Sequence, residues 1–272
     1  MHTPAGINFK TLMDLEPHGP DTFVGVTPQY EWGRIYGGQV IAQALGAASR
    51  TAPEGFAVHS LHAYFILGGR LDEPVRYEVD RVRSGTSFAT RRVVARQSYG
   101  AILTLEASYQ VHEDAPDVQT ITAPVDVPPP EELPEAGWGW LLERRSAPLV
   151  HGPGRALTWV RVDPSVGEDP VSQTCALAMA SDTSAVTSIR AAHPAGDIPP
   201  DRHREVFMGA SLDHAVWFHR PARADEWLLL DFRADSLTGA RGLAIGHVWD
   251  RAGLHVATIT QEALLRERRT PA

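Results

Sequence analysis

The sequence predicts an α+β fold in which one unit, a helix laid against an antiparallel sheet, occurs twice in tandem. Three observations predict it. A stretch rich in proline and acid, TAPVDVPPPEELPEAG from Thr122 to Gly137, divides the chain near its middle. It lacks apolar periodicity and reads as a linker. On either side the same order recurs, a helix rich in small residues and then several alternating strands. Finally, a serine and a glutamine stand 50 residues apart in each half, Ser60 with Gln110 and Ser211 with Gln261.

The elements follow in order. In GGQVIAQALGAASRT, Gly37 to Thr51, the residues Val40, Ile41, Ala44, Leu45 and Ala48 fall at helical spacing. Most of its other positions are Ala or Gly, so a curved sheet can enclose it closely. In VRYEVDRV, Val75, Tyr77 and Val79 alternate with Arg76, Glu78 and Asp80. In AILTLEASYQ, Leu103, Leu105, Ala107 and Tyr109 share a face. Past the seam, SQTCALAMASDTSAV, Ser172 to Val186, takes the helix position. The segments GASLDHAVWFHRP, EWLLLDFRAD, GLAIGHVWD and LHVATITQEALL read as strands. One helix wrapped by a sheet, present twice, is a double hotdog. The expected division is a module at 1–121, a linker at 122–137 and a second module at 138–272. A lone sheet of this kind has an edge that a second copy can pair with, and tandem duplication places both copies on one chain.

Composition bounds the function. A chain of 272 residues with 43% hydrophobic and 21% charged residues has the make-up of a soluble globular protein. Its net charge of −8 gives no electrostatic reason for a nucleic-acid partner. The start, MHTPAGINFKTLMDLEPHG, lacks the apolar core of a signal peptide, and no run of apolar residues is long enough to span a membrane. A cytoplasmic location is the expectation. The single cysteine, Cys175, forms no intrachain disulfide.

The sequence contains no G-x-S-x-G elbow, P-loop or H-E-x-x-H. GPGRAL at Gly152 lacks the third glycine and the preceding strand of a dinucleotide fingerprint. The histidines are scattered, with no zinc-ligand spacing. No cofactor and no metal are expected. What remains is a few polar residues in apolar elements. Asp182 follows the apolar run CALAMAS, where an acid needs a partner or a function; a helix-terminal or solvent-facing Asp is the alternative. Ser211 opens an apolar strand, as a site residue or as a small edge residue. Gln261 shares a strand face with Ala257 and Ile259, where its amide must be hydrogen-bonded, in a site or to backbone.

Several motifs together resemble one family. GRIYGGQVIAQAL, HSLHAYF, RSGTSFATRRV and ASYQ in the first half are similar to the acyl-CoA thioesterase II family. So are MASDTSAV, ASLDHAVWFHRP, ARG and TQEALLR in the second. The resemblance runs in order along nearly the whole chain. It implies a double-hotdog hydrolase of acyl-CoA thioesters that associates as a dimer or tetramer. It also implies a catalytic trio of Asp182, Ser211 and Gln261. Asp182 would be general base to a water held by Ser211 and Gln261, and the glycines of GGQ would allow close approach by substrate. The first half has no acid counterpart in its helix, so one trio per chain is expected. Two departures stand out: ILGGR, from Ile66 to Arg70, replaces the family's Arg-Pro-Gly turn, and TSAVTS follows Asp182 where members often carry Phe-Leu. Two other functions fit such a fold: a dehydratase or hydratase of acyl thioesters, for which His59 and His62 are the nearest histidines, and a non-catalytic acyl-CoA-binding protein.

Overall fold

A computed structural model describes residues 7–136, 141–148, 154–199 and 202–268. Gly137, at the end of the expected linker, and Gly152 lie outside them. The chain begins with α1 (Phe9–Leu12), β1 (Glu16–Pro17) and β2 (Thr22–Gly25), followed by α2 (Gly37–Ser49). Next come β3 (Phe56–Phe65), β4 (Val75–Ser84), β5 (Phe88–Gln97) and β6 (Gly100–Val111). After the strandless stretch 112–134 come β7 (Leu142–Ser146), β8 (Arg155–Val162), α3 (Pro170–Ser181), α4 (Ala185–Ala192) and α5 (His203–Val206). The chain closes with β9 (Phe207–Ser211), β10 (Asp213–Phe218), β11 (Leu228–Thr238), β12 (Arg241–Trp249) and β13 (His255–Glu267).

The thirteen strands of the described residues form one antiparallel sheet, in the order β1-β2-β4-β5-β6-β3-β10-β13-β12-β11-β8-β7, with β9 also on β13. The order reads the same from either end once β9 and β10 together are matched to β3. The halves join at β3–β10, where Ser60 stands opposite Trp217 and Tyr64 opposite Asp213. The duplicated helix-and-sheet unit expected from the sequence is therefore present.

α2 and α3 lie against each other inside the curl. Residues 38–48 of α2 are all buried. Their small side chains serve a helix–helix approach as well as the sheet: a Cβ on Gly38 would sit 2.3 Å from the Met179 carbonyl oxygen. The buried amides of α2 are satisfied. Gln43 donates to the Leu12 carbonyl (2.8 Å) and accepts from the Tyr77 hydroxyl (2.7 Å). Gln39 accepts from Tyr30 (2.7 Å) and donates to the Val26 carbonyl (3.2 Å). The inward faces read from the sequence hold, with Leu103, Leu105, Ala107 and Tyr109 all buried.

Two expectations need correction. Ser172–Val186 is not one helix. α3 starts earlier, with Asp169 accepting from the Ser172 N–H (2.8 Å) and Pro170 in the first turn, where its missing N–H costs nothing. It ends at Ser181, where Ser-Asp-Thr-Ser replaces the alanine run and short polar side chains compete for the backbone; α4 follows as a separate helix. The second correction concerns the landmark residues. The register shifts between Val58 and Ser60 on β6, and between Ser211 and Ala215 on β13. Aligning these two bulges matches Ser211 with Val58 and Gln261 with Ala107. Gln110 faces outward beside the inward Tyr109, whereas Gln261 faces the core. The duplication is real, but the equal spacing of the two serine–glutamine pairs does not mark equivalent positions.

The stretch 112–134 is bound to the outward face of the second half. Ile121, Ala123 and Val127 pack on Leu157, Trp159 and Trp249, and Trp159 donates to the Pro128 carbonyl (2.9 Å). β8 is consequently buried on both faces.

Candidate active site

The three expected site residues come together. Asp182 is the C-cap of α3. Ser211 ends β9, and Gln261 projects inward from β13. The bulge at Leu212 makes this possible. The Leu212 N–H bonds the Glu262 carbonyl (2.9 Å), and the Glu262 N–H turns to the Asp213 carboxylate (2.6 Å). Gln261 Nε2 donates to Ser211 Oγ at 2.6 Å, and Ser211 Oγ lies 3.5 Å from Asp182 Oδ1, the outer limit of a hydrogen bond. Gln261 also donates to Asp182.

Asp182 faces the N-terminus of α2 across the helix pair. The Gly38 N–H donates to its carboxylate, so the positive end of α2 offsets the negative end of α3. A Cβ on Gly37 would fall 2.6 Å from Asp182 Oδ2 and 2.8 Å from the Phe65 ring. The glycines expected to admit substrate are thus needed for the approach of the acid itself and of α3. Desolvation outweighs the donors and pushes the Asp182 carboxyl up to about 7. Gln261, Gly38, Ser211 and the Arg34 charge pull the other way. The carboxyl is surrounded by protein, while the residue as a whole is half-buried.

Two further residues complete the cluster, neither expected from the sequence. His214, fully buried on β10, has Nδ1 2.7 Å from Gln261 Oε1 and Nε2 2.7 Å from Ser181 Oγ. Burial lowers its imidazole to about 4. The available signal was a histidine on the inward face of an alternating strand, directly after Asp213. His59 and His62, the nearest histidines for a dehydratase or hydratase, point elsewhere. His59 bonds Ser108 (2.9 Å) and meets Phe88 edge-on, and His62 is exposed beside Trp217. Cys175 is buried, and its thiol is raised to about 12 by burial, which leaves it a poor nucleophile. Among the described residues no group of histidine, cysteine or acidic side chains is placed to hold a metal ion. None of their helices is long and apolar enough to cross a membrane.

Comparison with known proteins extends this picture. The family of acyl-CoA thioesterase N-terminal domains matches residues 27–110, and that of acyl-CoA thioesterase C-terminal domains matches residues 112–265. Acyl-coenzyme A thioesterase 8 of Rattus norvegicus is 32% identical over 95% of this chain and 88% of its own length. The crystal structure of acyl-CoA thioesterase II TesB2 from Mycobacterium marinum is 36% identical, with a TM-score of 0.82 over 97% of this chain and 99% of that one. A hot dog fold protein from Alicyclobacillus acidocaldarius, 21% identical, shares the fold with a TM-score of 0.77 over 97% of this chain and 98% of its own. With matches along nearly its whole length, the chain belongs to the acyl-CoA thioesterase family.

Proposed function

We propose that this protein hydrolyses acyl-CoA thioesters to a carboxylic acid and free CoA, using one water activated by Asp182 and held by Ser211 and Gln261. A thioester carbonyl is electrophilic and a thiolate leaves readily, so the reaction needs an oriented water and a base of suitable pKa. The observation that carries the reading is the convergence of Asp182, Ser211 and Gln261 from three separate elements, with the Asp182 carboxyl at about 7. A base near the working pH both exists as the anion and takes up a proton. The long 3.5 Å contact between Ser211 and Asp182 suits groups that share a water better than a direct pair. In the step itself, water oxygen attacks the thioester carbon while Asp182 takes its proton. The tetrahedral intermediate then collapses, the C–S bond breaks, and the thiolate is protonated.

Ser211 is not the nucleophile in this reading: the base nearest its hydroxyl, Asp182, stands at the 3.5 Å limit of a hydrogen bond and is assigned to the water. The division into a module at 1–121, a linker at 122–137 and a site-bearing module at 138–272 belongs to the same proposal, as do a cytoplasmic location and association as a dimer or tetramer. The test is release of free thiol from acyl-CoA of varied chain length. Steady thiol release that survives exhaustive chelation is expected. Change of the acyl chain without CoA release would mark a hydratase, and binding with neither would mark a carrier.

A further inference from the structure

We infer that His214 is a positioning residue for this reaction: together with Ser181 it fixes which end of the Gln261 amide faces Asp182. The inference rests on the roles proposed above for Asp182, Ser211 and Gln261.

A glutamine amide has two ends of nearly equal size and opposite hydrogen-bonding character. Gln261 is fully buried, with one end 2.6 Å from Ser211 Oγ and bonded to Asp182, and the other 2.7 Å from His214 Nδ1. A carboxylate only accepts, so the NH2 must face Asp182 and the oxygen must face His214. The oxygen in turn needs a donor, which requires the proton on Nδ1. With its pKa held down near 4, the ring is neutral at working pH and has one bare nitrogen, Nε2. At full burial that nitrogen must accept, and Ser181 Oγ lies 2.7 Å away. The Ser181 hydroxyl has a rival acceptor in the Ala178 carbonyl at 2.9 Å. Leaving the buried ring nitrogen bare is the costlier choice.

Every donor then points the same way. Ser181 donates to His214, His214 to Gln261, Gln261 to Ser211 and Asp182, and Ser211 to Asp182. Because Ser181 directly precedes Asp182 in the chain, the series closes on itself. Turning the amide over would set its oxygen against the Asp182 anion and its NH2 against the Nδ1–H, two repulsive contacts at once. It would also remove the donor that holds the water.

The test compares His214→Leu, His214→Asn and Ser181→Ala with the native protein in steady-state hydrolysis of an acyl-CoA. Ring-nitrogen NMR of the histidine-labelled native chain accompanies it. His214→Leu is expected to lower kcat about ten- to a hundredfold, the range for residues that orient a reacting group, with KM little changed. It should also move the rising limb of the kcat profile to higher pH, because the carboxylate loses a donor. In His214→Asn a side-chain NH2 takes the place of Nδ1–H, and most of the loss should be recovered. Ser181→Ala should fall between the two. The spectrum should place the proton on Nδ1. Native kcat and an unmoved limb in His214→Leu, equal damage in His214→Asn, or a proton on Nε2 would each overturn the inference. Should His214→Leu not fold, the Asn variant and the spectrum decide it. Native turnover in Asp182→Asn would instead overturn the assigned trio, whatever His214 does.

Discussion

Replacing Asp182 by Asn should abolish most activity and yet make the protein more stable, by an amount that depends on pH. The carboxyl stands at about 7 in the folded chain and near 3.9 in an unfolded one. At about 1.4 kcal/mol per unit, that gap bounds the cost of burying the anion at roughly 4 kcal/mol above pH 7. Asp182 is half-buried as a residue, so screening cuts the figure to about half, ~2 kcal/mol. The sign follows from proton binding. Between about pH 4 and 7 the folded chain holds a proton that the unfolded chain has lost, so native stability falls as pH rises through that window and then levels off. Asn fills nearly the same volume and does not titrate. At pH 8 Asp182→Asn should therefore melt about 4–8 °C above the native protein, taking 2–4 °C per kcal/mol for a chain of this size. The two should melt together near pH 4. Melting curves by circular dichroism from pH 4 to 8 measure this directly. Thiol release from the same samples should show kcat lower by about two to four orders of magnitude. A melting difference that does not change with pH, or a variant less stable than native at pH 8, would refute the burial argument. Retained turnover would refute the role of base.

Other outcomes follow from the same geometry. Ser211→Ala and Gln261→Ala should each lower kcat less than Asp182→Asn, since each leaves the base and one holding group in place, and Ser60→Ala and Gln110→Ala should leave turnover near native. For the native enzyme, kcat/KM should rise with pH through a single ionisation at about 7, read from initial rates across pH 5 to 9; a flat profile would count against Asp182. Gly38→Ala drives a methyl to 2.3 Å from the Met179 carbonyl, a backbone atom that cannot step aside. Urea unfolding should show a loss of about 1–3 kcal/mol, as for overpacked cores.

Much of this was legible in the sequence because its signals are periodic or compositional. The alternation in β4 and β6 and the small-residue run in α2 declared both elements and their buried faces. The motifs around Asp182, Ser211 and Gln261 pointed to residues that do converge. The failures have physical causes. The end of α3 is harder to read, because the polar run Ser181 to Ser184 that stops it at the Asp182 C-cap is short and flanked by apolar residues that continue the helical spacing. Asp169-Pro170, a cap followed by a first-turn proline, had announced the true start. Gln110 was paired with Gln261 because spacing along the chain is blind to a bulge, and a slip of one residue turns a strand position to the other face. His214 was passed over because nothing in a single sequence distinguishes an inward histidine bonded to an amide from one that merely fills space. That distinction depends on Ser181 and Gln261, which reach it from other elements.

The bond from the Gly38 N–H to Asp182 crosses between the two repeats, and this bears on how such a chain can change. In a pair of identical subunits every substitution appears at both symmetry-related places, so a residue good for one pocket must be tolerable in its twin. Here the acid, serine and amide lie on one repeat and the glycine that receives the acid on the other, while the corresponding strand positions hold Val58 and Ala107. Each repeat can therefore drift toward its own task. The first is free of the demands of chemistry so long as it keeps one backbone amide and the space around it. Neither repeat, expressed alone, would carry a complete site.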